Sequence, residues 1–110
     1  MRAFEIADLM SRRAAQNRLY LEFLRVPGMS LGIYTLAAGG TDPQSPHGED
    51  EVYYVVHGRA RVLVEGEDRP VEPGSIVFVP AGAEHRFHAI EQELTLLVCF
   101  APAEGDTANG

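Results

Sequence analysis

The sequence predicts an all-β protein, an antiparallel sandwich or small barrel of about seven short strands preceded by one short helix. Three observations carry that prediction. Apolar residues recur with a period of two over most of the chain from residue 19 onward. Clusters of Gly, Pro, Asn and Asp interrupt this pattern at intervals of roughly 8 to 12 residues, the spacing of short strands and their turns. Only the segment before residue 17 shows a helical period.

Taken in order, FEIADLMSRRAAQ places Phe4, Ile6, Leu9 and Met10 on one helical face with arginines opposite, predicting an amphipathic helix that lies against the rest of the chain. LYLEFLRV and SLGIYTLA read as strands separated by the turn pair Pro27-Gly28. AGGTDPQSPHGED is a loop. EVYYVVH and ARVLVE flank Gly58 and read as a tight hairpin, and EGEDRPVEPG is polar and turn-rich. SIVFVP is a strand ended by Pro80, AGAEHRFHAI begins as a turn and becomes a strand, and ELTLLVCFA is the last strand. The expected organisation is a helical segment over 1–17, a barrel over 18–102 and a flexible tail over 103–110.

Composition narrows the function. A chain of 110 residues, 45% hydrophobic and 23% charged, suits one globular domain. A formal charge of -7 argues against nucleic acid, which requires a basic face. The longest apolar run, LTLLVCFAPA, is about half of what a membrane-spanning helix needs, so no membrane partner is expected. With one cysteine, Cys99, and no signal-peptide pattern at the start, the expected location is a reducing cytoplasm. Cys99 itself reads as a small buried hydrophobe. Spacings for a Ser-His-Asp triad, a phosphate-cradling loop or a zinc ribbon do not occur.

The chemistry concentrates in SPHGEDEVYYVVHGRARV. Side chains two apart in a strand share a face, which groups Glu51 with Tyr53 and Val55, and Val52 with Tyr54 and Val56. Both groups are apolar beyond Glu51, so the strand is expected to be buried on both sides. A carboxylate there is costly unless a cation compensates it. His47 lies just upstream, and His85 follows the turn PAGAEH. Joined by the fold, the three would form a two-His, one-carboxylate set suited to a divalent metal with coordination positions left open. Glu49 and Asp50 read as solvated loop acids, with Glu49 able to share the face of His47 and Glu51. His57 reads as a surface turn residue and His88 as structural or exposed, on the side opposite His85.

These residues resemble a single-domain bacterial cupin. The first cupin motif is Gly, five residues, His-x-His, three or four residues, Glu, six residues, Gly; Gly39, Ser45, His47, Glu51 and Gly58 fall on its positions. The second is Gly, five residues, Pro-x-Gly, two residues, His, three residues, Asn; Gly74, Pro80, Gly82, His85 and Ala89 fall on those. The resemblance implies a double-stranded β-helix, a small jelly-roll barrel, holding one divalent ion (iron, manganese, zinc or nickel) through His47, Glu51 and His85. Ser45 replaces the usual first histidine, so a water, a substrate atom or the Gln44 carbonyl is expected at that position. Gln44, Tyr34, Tyr53 and Phe87 are the candidate contacts for a small-molecule ligand in the barrel. The implied function is a small metal-dependent oxygenase, isomerase or lyase. The alternative is a non-catalytic small-molecule-binding or sensor barrel with a structural metal or none, and a fully packed interaction subunit is a third reading. Two apolar strand faces, with the family's habit of pairing, predict a homodimer.

Overall fold

The computed structural model describes residues 1–43 and 46–105. Helix α1 (Ile6–Ala15) is followed by strands β1 (Tyr20–Val26), β2 (Met29–Leu36), β3 (Asp50–Val64), β4 (Glu67–Val71), β5 (Ile76–Val79) and β6 (His85–Ala101). The strands form one antiparallel sheet in the order β1-β2-β6-β3-β4, with β5 also paired to β3. Helix α1 rests on β1 and β2 through the buried Leu9.

Strands β3 and β6 run through both halves of the barrel. Early β3 pairs with late β6 (Glu51 with Phe100, Val55 with Leu96), and late β3 with early β6 (Val62 with Phe87, Val64 with His85). The ladder is irregular from Val55 to Arg61, where the two strands bend from one layer into the other. The expected hairpin at Gly58 is therefore a bend inside one continuous strand. Gly58 has φ +97, and a Cβ there would lie 2.3 Å from the Glu93 carbonyl oxygen, so both conformation and clearance demand glycine. The turn lies instead at Glu65-Gly66, both with positive φ, between the paired residues Val64 and Glu67.

Tyr53, Val55, Val62, Phe87, Leu96 and Phe100 fill the interior. The outer face differs from expectation. Val52 is 38% and Tyr54 39% exposed, so β3 is buried on one side only. The reason is coverage: α1 shields β1 and β2 and does not reach β3. Residues 103–105 also differ from the expected fray. Ala103 is fully buried, the Glu104 N–H donates to Ser30 Oγ at 2.9 Å, and the Gly105 N–H donates to Glu49 Oε2 at 3.0 Å. Arg25 holds the Glu104 carbonyl from the other side. Donors and acceptors on β1, β2 and the loop before β3 thus dock this segment.

Candidate metal centre

Three segments deliver the ligating side chains. His47 sits in the loop before β3, Glu51 is the second residue of β3, and His85 opens β6. The loop and the turn before β6 are tied by two bonds: the Gly82 N–H donates to the His47 carbonyl at 2.7 Å, and the Ala81 N–H to Asp50 Oδ1 at 2.9 Å. This tie brings the His47 and His85 rings to a centroid separation of 5.4 Å. His85 Nδ1 lies 2.9 Å from the Ala83 carbonyl oxygen. A carbonyl only accepts, so that nitrogen carries a hydrogen, and Nε2 is the ring atom left facing Glu51. Nε2 is 3.2 Å from Glu51 Oε1, and one ligand atom from each of His47, Glu51 and His85 lies within 4.8 Å of the others.

The Glu51 and His85 side chains are each 1% exposed. Despite the 3.2 Å approach, neither Glu51 oxygen nor His85 Nε2 has an aligned hydrogen-bond partner; the pair is a charge contact, not a hydrogen bond. Burial pulls the His85 imidazole down, but Glu51, the Ala83 carbonyl and Asp42 outweigh it and hold the ring above its ordinary value. An ionised carboxylate removed from water loses several kcal/mol of solvation unless a cation answers it. The donor set fits a divalent metal. Bonds near 2.1 Å place adjacent ligand atoms roughly 3.0 to 3.4 Å apart, which the Glu51–His85 pair already matches.

A cavity of about 180 Å³ opens against these residues, with Glu51 and His47 at its inner end and Tyr20, Tyr34, Phe100 and Glu104 on its walls. Among the larger hollows, one of about 350 Å³ beside Val62 and Phe78 is lined by neither site histidine, and one of about 300 Å³ reaches His85 from the side of Leu63 and Arg86. The Tyr34 hydroxyl donates to Asp42 Oδ1 at 2.8 Å, and the Phe87 N–H donates to Asp42 Oδ2 at 2.9 Å. Burial, then Asp42, pushes the Tyr34 phenol above its ordinary range. Tyr20 lies over Gly32, where a Cβ would fall 2.2 Å from the ring, and its hydroxyl is buried without a partner. Glu104 Oε2 is 3.9 Å from His47 Nδ1. Burial raises the Glu104 carboxyl, His47 opposes that shift, and Glu49, Glu51 and Glu22 reinforce it.

The structure brings His47, Glu51 and His85 together and places Tyr34 on the cavity wall. Tyr53 and Phe87 lie in the packed interior, edge to face at 4.9 Å, with the Tyr53 ring 6.2 Å from that of His85. Gln44 and Ser45 lie outside the described residues. His57 is exposed within β3, not in a turn, and His88 is half-buried, 2.8 Å from Asp68 Oδ2. Glu49, expected to be solvated, is buried. Cys99 is half-buried, and burial raises its thiol. Sequence reasoning missed Asp42, Tyr20 and Glu104. Asp42 stands before Pro43 and reads as a turn residue, Tyr20 as an ordinary strand aromatic, and Glu104 as tail.

A curled antiparallel barrel with two histidines and a glutamate converging at one end defines a small jelly-roll protein with a candidate metal centre. The profile of the Cupin domain family matches residues 32–101, and the chain belongs to that family. An uncharacterized protein of Streptomyces coelicolor is 51% identical over 104 residues, 94% of this chain and 99% of that protein. An oxalate-binding protein of Thermotoga maritima is 30% identical over 83 residues, 74% of this chain and 60% of its own length. The crystal structure of TT1209 from Thermus thermophilus matches with a TM-score of 0.76 and 28% identity, covering 94% of this chain and 99% of that one.

Proposed function

We propose that this protein binds one divalent metal ion through His47, Glu51 and His85 and holds a small organic molecule beside it in the adjoining cavity. The observation that carries this reading is the Glu51 carboxylate, buried with no aligned hydrogen-bond donor on either oxygen and 3.2 Å from His85 Nε2. Iron, manganese, zinc and nickel all suit two imidazoles and a carboxylate. Such an ion, when bound, polarises a carbonyl or carboxylate oxygen or activates dioxygen. The chain's own residues supply the rest. Ala83 fixes the His85 tautomer, Asp42 fixes Tyr34, and Val98 and Phe100 give the cavity an apolar wall.

In its catalytic form the reading is a small metal-dependent oxygenase, isomerase or lyase acting on a carbonyl or carboxylate compound. A second reading, binding without turnover, is favoured by the relative named for binding oxalate. Tyr53 and Phe87 then serve as the floor behind the centre. A reducing cytoplasm suits the free Cys99 thiol.

The outer sheet face supports a homodimer. Leu31, Cys99, Val52 and Phe78 form one cross-strand row, and Leu97, Tyr54 and Ile76 the next, whose far end at Ile33 is already buried within the chain. Ile76 is 70% and Phe78 59% exposed. We assign this apolar face to a homodimer contact.

The test is elemental analysis of protein purified without chelator, alone and as single alanine variants. Wild type and His57→Ala should carry about one metal per chain, and His47→Ala and His85→Ala little or none. Metal retained in both of the latter overturns the ligand assignment. Dioxygen uptake and turnover of carbonyl and carboxylate compounds then separate enzyme from binder.

A further inference from the structure

We propose that Glu104, carried into the cavity by the C-terminal segment, accepts a hydrogen bond from a hydroxyl of the bound molecule, so that the site takes small hydroxy acids in preference to dicarboxylates. This rests on the metal-binding reading above and adds the ligand class and the residue that sets it.

Charge and placement carry the inference. The inner end of the cavity combines a divalent ion with the Glu51 carboxylate, leaving one positive charge to be matched by one ligand carboxylate. Glu51 is 1% exposed with no aligned hydrogen-bond donor on either oxygen and the His85 imidazole against it, so this end is built to receive charge from outside the protein. The mouth carries the opposite demand. Glu104 lines it, and no Lys or Arg is among the described lining residues. A second carboxylate on the ligand would meet Glu104 with no cation between them, whereas a hydroxyl would donate to it. At 3.9 Å from His47 Nδ1, the Glu104 carboxylate is too far for a hydrogen bond to that ring.

Position is enforced through the backbone. Ser30 accepts the Glu104 N–H, Arg25 holds its carbonyl, and Glu49 accepts the next N–H. Three contacts within two residues hold the side chain at the cavity without using its carboxylate. Tyr20 supplies the complementary group. Its hydroxyl, buried and unpartnered on the same wall, donates to an acceptor oxygen of the ligand. At about 180 Å³, with Val98, Phe100 and Pro43 completing the wall, the space suits a molecule of few heavy atoms.

Glycolate and oxalate test this directly, because they are nearly equal in size and differ by a hydroxyl against a carboxylate. Full-length protein loaded with manganese(II) is titrated with each by calorimetry, as wild type, Glu104→Ala and Glu104→Gln, after metal content is measured for every sample. Wild type should prefer glycolate. Glu104→Ala should hold the same metal and lose about tenfold or more in glycolate affinity, the value of a hydrogen bond to a charged acceptor. Oxalate should bind both variants more tightly than it binds wild type. An unchanged glycolate-to-oxalate ratio in Glu104→Ala, or binding of neither probe by metal-loaded wild type, overturns the proposal. A parallel fall in metal content and in both affinities makes Glu104 a positioning residue for His47 and overturns it too. Wild type that takes up no manganese defeats the metal-binding reading itself, and this inference with it.

Discussion

Replacing Glu51 by Gln keeps the side chain's shape, removes its charge, and separates a metal centre from a polar cluster that merely packs. At metal concentrations a hundredfold above the dissociation constant, binding to the native state adds about 2.7 kcal/mol of stability. For a domain of this size roughly 4 °C accompanies each kcal/mol, so wild type should melt about 10 °C higher with metal than after chelation. Glu51 supplies the anionic ligand at the buried end of the site, and its loss should weaken binding by about a hundredfold or more. The same metal concentration then only equals the dissociation constant. The stabilisation shrinks to RT ln 2, about 0.4 kcal/mol, and the melting shift to under about 2 °C. Differential scanning calorimetry of chelator-treated protein, with manganese, zinc, nickel or iron(II) added, measures both shifts. An equal shift in wild type and Glu51→Gln would refute the reasoning, as would a wild type indifferent to all four ions.

The raised His85 value predicts a pH dependence with a definite sign. Its stabilisation is full below the ordinary 6.5 and lost as pH rises through the folded value, so metal-free protein should melt higher near pH 6 than near pH 9. Metal affinity should climb over the same interval because binding expels that proton, and His85→Gln should flatten the melting trend if His85 is its source. Ala89 holds φ +48 on the exposed side of β6, a conformation costing an alanine about 1 kcal/mol and tolerated by asparagine. Ala89→Asn should therefore raise the urea midpoint, and a lowered midpoint would disprove the strain. The outer sheet face predicts that wild type has twice the chain mass in light scattering and that Phe78→Lys has the chain mass alone; a monomeric wild type removes the dimer.

Spacing made the centre legible. Glu51 and His85 fall where β3 and β6 enter the barrel, and Gly58 and Gly82 fix where those strands bend or begin. Gly58 shows the limit of such reading. A glycine between two alternating segments signals a turn and a bend equally, and only the close passage of Glu93 decides for the bend. Tyr20, Asp42 and Glu104 were hidden for a different reason. Tyr20 reaches the site through its pairing with Tyr34, Asp42 through the backbone of Phe87, and Glu104 through Ser30, contacts between residues distant in sequence. Ala89 ran the other way: a departure from the cupin pattern in sequence, it marks in structure a left-handed position where asparagine is the relaxed choice.

The acids around the cavity give the clearest argument for what Glu51 does. Asp42, Glu49 and Glu51 are all buried, at 7%, 4% and 1% exposure. Asp42 accepts from the Tyr34 hydroxyl and the Phe87 N–H, and Glu49 accepts from the Gly105 N–H. Glu51, the most deeply placed, has no aligned donor on either oxygen. A fold that supplies hydrogen-bond donors to two of three buried carboxylates has the means to satisfy the third. What faces Glu51 instead is an imidazole whose hydrogen is directed to Ala83, with a second imidazole beside it. With the ring protonated the two groups meet as an ion pair; once the Nε2 proton leaves, lone pair faces lone pair, which is unfavourable between protein groups alone and favourable around a shared cation.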